Sequence, residues 1–267
     1  MTVNRPRIRG VGGPVALTVP ALVGLAFLVG PLIGLVVRTP WRRLPELLAD
    51  PAVADALRLS LVASGIATVL CVLLGVPLAW LLVQPGLPGR SLLRALVTVP
   101  LVMPPVVGGV ALLMLLGRNG VLGVPLAALT GLTIPFTTTA VVLAEAFVAL
   151  PFLVLSVEGA LRSADRRYEE AAATLGADRL TVFRRVTVPL VLPGIASGAV
   201  LAWARALGEF GATVTFAGSY PGRTQTMPVA VYLALESSPD AALALSVVLL
   251  FVSVLLLALL RDRWITR

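Results

Sequence analysis

Arg205 and Glu209 stand four residues apart in an otherwise apolar stretch. That spacing sets two helical side chains on one face, where opposite charges can pair and lower the cost of being held away from water. The pair reads either as a structural ion pair at a helix end or as part of a face lining a path through the apolar layer. Thr213, Thr215 and Ser219 follow with hydroxyl donors, which serve equally as ordinary helix-end and loop polar residues or as further lining of that path. Bond-making chemistry is harder to assemble. The chain has no His, its 21 basic residues are all Arg, and its one Cys, Cys71, sits in an apolar run. His/Cys metal sites, histidine dyads and internal disulfides are therefore excluded. Without Lys there is no phosphate-binding loop of the GxxxxGK[ST] type, so the chain has no standard ATP site of its own. An enzyme would have to be built from isolated Ser, Asp and Glu.

The elements that must position these residues are set by composition. Apolar residues make up 58% and charged residues 13%, against about half and a quarter in soluble proteins. The reading is an all-α integral membrane protein, one membrane domain with no appended soluble domain. Six stretches, approximately 15–37, 57–83, 95–117, 136–158, 190–213 and 241–260, are apolar enough to cross about 30 Å of hydrocarbon, which takes roughly 20 helical residues. The first follows Arg5, Arg7 and Arg9 but is too long for the apolar core of a signal peptide, so it reads as an uncleaved span. Pro104 and Pro105 are expected to break or kink the third.

With the N-terminus cytoplasmic, the inner segments hold fourteen arginines: 5, 7, 9, 90, 94, 162, 166, 167, 179, 184, 185, 261, 263 and 267. The outer ones hold Arg38, Arg42, Arg43, Arg118 and Arg223. This imbalance orients the protein with both termini inside. The expected organisation is a cytoplasmic segment 1–14, a membrane domain 15–260 and a cytoplasmic tail 261–267. On the fifth span Gly194, Gly198 and Ala202 recur every fourth residue, a small-residue stripe suited to close helix packing within one subunit or across a dimer.

The inner loop 159–189 is the longest stretch without a span. Asp165 suits the N-cap of a short helix with Glu169 and Glu170 in its first turns, where carboxylates complement the helix dipole. Tyr168, Ala172 and Leu175 fall on one face, and Gly176 fits the left-handed position that stops the helix. Asp178 can cap a second helix carrying Leu180, Phe183 and Val186, and Pro189 fixes the way into span five. Two short helices with small residues on one flank and Arg on the other form a knob. It fits a groove in a partner protein, or lies on anionic headgroups through Arg166, Arg167, Arg184 and Arg185.

At these residues the chain resembles a known family. Glu170-Ala171-Ala172, Gly176, Val186 and Pro189 are similar, in type and spacing, to the EAA motif of bacterial ABC-importer permeases, with Val186 where that family commonly has Ile. The run from Arg205-Ala-Leu-Gly-Glu209-Phe-Gly-Ala to Gly218 resembles the permeases of the tetraoxyanion group. Its continuation, Pro221-Gly222-Arg223-Thr224-Gln225-Thr226-Met227-Pro228, Ala230, Tyr232 and Glu236, is similar to the molybdate permeases in particular.

The resemblance implies a type I ABC-importer permease fold, a homodimer, two cytoplasmic ATPase subunits that carry ATP and Mg, and an extracytoplasmic oxyanion-binding protein. Tyr168, Glu170, Ala171, Ala172, Leu175, Gly176, Phe183 and Pro189 would then form the ATPase-coupling surface, and Arg205, Glu209, Thr213 and Thr215 the translocation path. It implies molybdate import across a bacterial cytoplasmic membrane, with tungstate or sulfate/thiosulfate as alternative cargo, no cofactor in this chain and no nucleic-acid partner. A secondary transporter is a remoter reading: Glu145 is the one clearly mid-span carboxylate and no internal repeat is evident.

Overall fold

The computed structural model describes residues 15–165 and 167–264, and among these the regular elements are helical. They run α1 (Val15–Arg38), α2 (Leu44–Leu48), α3 (Pro51–Val83), α4 (Arg90–Val102), α5 (Pro105–Leu116), α6 (Gly123–Thr130), α7 (Thr138–Ser163), α8 (Arg167–Thr174) and α9 (Arg179–Val182). A π-helical turn, Phe183–Thr187, leads into α10 (Val188–Leu207), followed by α11 (Gly211–Phe216), α12 (Met227–Ser237) and α13 (Pro239–Trp264). Local chemistry sets several starts. The Asp50 carboxylate accepts the Ala52 N–H at 2.9 Å just ahead of α3, with Pro51 at its first position, and Thr137 Oγ1 accepts from Ala140 N at 3.3 Å to open α7.

Five helices are long and apolar enough to cross a membrane, and a sixth crossing follows if α4 and α5 together make one. The third expected span is therefore two helices, bent by 117°. Pro104 explains the break: it cannot donate to the helix ladder and it drives Met103 into extended backbone (φ −72°, ψ 133°). Several other ends move outward from the sequence estimate, while span four starts later, at Thr138, and span five stops earlier, at Leu207. α7 continues to Ser163, so the loop 159–189 is shorter than expected, and its second half is no separate helix. From Arg179 to Leu207 the backbone is one 29-residue helical run that becomes span five. α13 continues to Trp264, into the expected tail. Residues 1–14 with Arg5, Arg7 and Arg9, as well as Arg166 and Arg267, lie outside the described residues.

α7 is the centre of the bundle. Val141, Ala144, Ala149, Leu153, Val154 and Val157 are fully buried, packed against Ala63, Ala67, Cys71 and Ala79 of α3 and Ala202 and Ala206 of α10. Alanine and glycine at these positions let backbones approach closely, which drives helix association where no water is available to be expelled. The Gly194-Gly198-Ala202 stripe serves that purpose inside one subunit: a methyl group on Gly194 would collide with Ala160 Cβ, and one on Gly198 would press on Ser156 and Leu153. Ser156 Oγ donates to the Gly194 carbonyl at 3.1 Å across the same seam. Gly198→Val should therefore overpack the α7–α10 seam, costing about 1–3 kcal/mol. A melting temperature of the purified variant in detergent equal to that of the parent would refute this packing account.

Candidate functional site

The knob is built on a Schellman turn. α8 ends where Gly176 adopts φ +86°. The Ala177 N–H donates to the Ala172 carbonyl (3.1 Å) and the Gly176 N–H to the Ala173 carbonyl (3.0 Å), satisfying the last carbonyls of the helix. Two residues later the Asp178 carboxylate accepts the Thr181 N–H at 3.3 Å and caps α9. At the other end of α8 the Asp165 carboxylate accepts the Arg167 N–H at 3.0 Å and pairs with its guanidinium. It accepts the N–H two residues on, as Asp50 does ahead of α3, and the residue between Asp165 and Arg167, Arg166, lies outside the described residues. Both carboxyls are held below the usual aspartate range, Asp165 chiefly by the Arg167 N–H and Asp178 chiefly by Thr181. A depressed carboxyl stabilises the folded form above its ordinary pKa, and that contribution fades as the pH falls through the depressed value.

Two contacts that the sequence reading missed tie the knob to the bundle. Thr187 Oγ1, buried in the π-helical turn, donates to Glu169 Oε1 of α8 at 2.5 Å. Trp80 near the end of α3 meets Phe183 edge-on, with ring centroids 5.9 Å apart at 73°. No spacing rule links residues so far apart in sequence. The turn itself had a signal in Pro189. Proline cannot donate and its ring crowds the carbonyl four residues back, and the widened turn just before it, closed by Val188 N–H to the Phe183 carbonyl, absorbs that strain.

Of the residues expected to form the coupling surface, Tyr168, Glu170, Ala171, Leu175 and Gly176 are exposed, Leu175 by 89%. Ala172 is half-buried. Phe183 faces Trp80 and so serves the knob's attachment, and Pro189 lies exposed inside the continuous helix. Exposed Tyr168, Leu175 and Leu180 on a charged loop make an apolar surface suited to burial against another protein.

The second group lies at the far end of α10. That helix stops at Leu207, so Glu209 sits just beyond it and not within its last turns. The pair nevertheless forms: Arg205 Nη2 reaches Glu209 Oε2 at 2.7 Å, with the Glu209 side chain 1% exposed and Arg205 26% exposed. The other oxygen, Oε1, accepts the Ala212 N–H at 2.7 Å and thereby opens α11. Thr215 Oγ1 donates to the Gly211 carbonyl at 2.8 Å, committing it to its own helix. Thr213 is fully buried, and its hydroxyl has no hydrogen-bond partner among the described residues. Thr213 thus faces the interior of the fold in this conformation, whereas Arg205 keeps partial access to solvent.

Here two helix breaks interlock. A Cβ on Gly211 would press on Pro105 and Val106 at the start of α5, and one on Gly109 of α5 would strike Ala212 and Thr215 of α11. The broken third span and the broken fifth span are therefore packed against each other through glycines. At the bundle's opposite end from the knob, the turn between α11 and α12 is held largely by its own backbone. The Tyr220 carbonyl accepts from Arg223, Thr224 and Gln225, and Thr138 Oγ1 donates to the Arg223 carbonyl at 3.0 Å. Met227 N–H donates to Ser60 Oγ at 2.7 Å, and Arg43 pairs with Asp240 at 2.7 Å.

Comparison with known proteins gives the following. Residues 71–267 match the family described as binding-protein-dependent transport system inner membrane component. The chain is 53% identical over 237 residues to the molybdenum transport system permease protein ModB of Mycobacterium tuberculosis, covering 88% of this chain and 89% of that one. It is 41% identical over 221 residues to the ModB of Escherichia coli K12, covering 83% and 96%. Among solved structures, that of a bacterial ABC transporter importing the acidic polysaccharide alginate superposes with a TM-score of 0.71 over 95% of this chain and 96% of that one, at 17% identity.

Proposed function

The chain belongs to the family of binding-protein-dependent transport system inner membrane components, and from that premise we propose that it is the membrane-spanning permease subunit of an ATP-driven molybdate importer. The observation that carries the cargo is the 53% identity to a molybdenum permease across nearly the whole of both chains. The geometry supports a mechanism. An exposed knob, α8 to Gly176 to α9, is the surface a cytoplasmic ATPase grips, and ATP and Mg belong to that partner. The permease makes and breaks no bonds.

Two copies of the chain form the conduit in a bacterial cytoplasmic membrane, with both termini inside, and an extracytoplasmic binding protein delivers the oxyanion. Nucleotide closes the ATPase pair and draws the two knobs together, and the path opens outward. Hydrolysis returns it to the inward state. Such a cycle needs two conformations whose balance nucleotide and loaded binding protein shift in opposite directions. Arg205, paired with Glu209 through one nitrogen yet partly exposed, offers the passing dianion a transient cation, with Thr213 and Thr215 alongside when the interlocked breaks part.

The test is reconstitution of the permease in vesicles with its ATPase and binding protein, measuring uptake of molybdate, tungstate and sulfate. ATP-dependent molybdate uptake that vanishes when the ATPase is omitted is the expected result. Full-speed uptake by the permease alone, or preference for sulfate with the native binding protein, overturns it.

A further inference from the structure

α4 is attached to the bundle in an unusual way. None of its residues is buried; only Leu93 and Val97 rest, half-buried, against the core. It hangs from the extended Met103–Pro104 joint, where the chain bends by 117° into α5. Among the described residues its one ion pair is Arg94 Nη2 to Glu158 Oε1, 3.0 Å, on the last turns of α7. Glu158 is 1% exposed and the same oxygen also takes Arg162 Nη2 at 2.7 Å. Its second oxygen, Oε2, is buried without a hydrogen-bond partner.

One oxygen shared by two guanidinium groups beside one with none is a half-satisfied arrangement, and the unpaired buried oxygen carries a cost that a second partner would relieve. A second arrangement is open to it. If α4 moves away with Arg94, the Arg162 fork can take both carboxylate oxygens, and a bidentate pair is the stronger geometry. The loss of one contact is thus offset by the completion of another, which is the property a two-position element requires. Arg94 is 44% exposed and Arg162 42% exposed, so neither guanidinium is trapped in the arrangement seen here. Ser163, directly after Arg162, ends α7, and the next helix in the chain is α8 of the knob. A displacement of α8 therefore bears on the last turn of α7, where Glu158 and Arg162 lie.

We propose that Glu158 is a latch that holds the α4 arm against α7 in this conformation and exchanges Arg94 for a bidentate Arg162 when the permease switches, so that α4 swings about Met103–Pro104. The proposal deepens the importer reading and rests on it. Arg94 and Glu158 are positioning residues, and the moving part is the first half of the broken third span.

The experiment uses the reconstituted complex of permease, ATPase and binding protein, in a Cys71→Ala background with Val97→Cys as a reporter on the half-buried face of α4. In the parent complex, maleimide labelling of that cysteine changes between nucleotide-free and ATP-analogue-bound states. Glu158→Gln should make labelling fast in both states and lower molybdate uptake per ATP hydrolysed by at least about fivefold, the low end of ordinary coupling between sites. Arg94→Gln, which leaves Glu158 paired with Arg162 and so preserves folding, should do the same to the labelling. Nucleotide-dependent labelling and a parental uptake-to-hydrolysis ratio in Arg94→Gln overturn the latch. If the parent complex itself shows no ATP-dependent molybdate uptake, the importer reading fails instead, and the two failures are told apart.

Discussion

Gly176→Val should leave the permease in the membrane and its partner ATPase turning over, while molybdate uptake falls more than about tenfold. The reason is conformational. Gly176 holds φ +86°, a region that costs an L-residue roughly 1–2 kcal/mol and a β-branched one more. Valine there would pull the turn out of the left-handed region, break the Ala177-to-Ala172 and Gly176-to-Ala173 hydrogen bonds, and let the last turn of α8 fray. Leu175, the most exposed large apolar residue of the knob, would then no longer be presented at a fixed angle. A Cβ at this position meets nothing within 4 Å, so the loss cannot come from a clash within the permease. Gly176→Asn separates the causes. Asparagine tolerates the left-handed region far better than valine, so it should keep most of the uptake. Uptake is to be measured with hydrolysis in the same vesicles. Parental uptake by the valine variant would remove the glycine turn from the coupling mechanism.

The second large effect is expected at the interlocked breaks. Arg205→Ala leaves Glu209 buried with no cation within pairing distance among the described residues, and removing one partner of a buried pair costs about 3–5 kcal/mol. The double variant Arg205→Ala, Glu209→Ala removes the stranded charge and should be more stable than Arg205→Ala alone, although it forfeits the Oε1 cap on Ala212. Glu209→Gln keeps that cap and the shape, and should be the mildest of the three. Thermal unfolding in detergent ranks them. An Arg205→Ala permease as stable as the double variant would mean that Glu209 is compensated by some group other than Arg205.

How far these sites could be read from the sequence depends on the range of the interactions that make them. Gly176, Asp178 and the Pro104 break act on their immediate neighbours, so their local patterns announced them. Arg205 and Glu209, four apart, paired as their spacing suggested, even though Gly208 ends the helix between them. The spans emerged because their apolar runs are long enough to cross a membrane, yet their ends were misplaced at Pro51, Ser163 and Arg179, where the helix continues past the apolar run. Trp80 with Phe183, Glu169 with Thr187 and Arg94 with Glu158 were invisible. Each joins separate elements, and only the packing of α4 on α7, and of α3 and α8 on the π-helical turn, brings them together. The glycine stripe illustrates the intermediate case: its periodicity announced a close helix contact, and only the structure says that the neighbour is α7 of the same chain.

The unbroken helical run from Arg179 to Leu207 joins the two sites directly. Beyond the π-helical turn its last 20 residues make a lever arm on the order of 30 Å at about 1.5 Å per residue, so that tilting it by about 10° would carry the far end through roughly 5 Å. A pivot near the π-helical turn, where Glu169 and Trp80 grip the shaft, would magnify a modest nudge at the membrane surface into a stroke large enough to pull Arg205 and Glu209 away from the start of α5. Gearing of that kind would let a small displacement of the knob act on the interlocked breaks at the far end of the same helix.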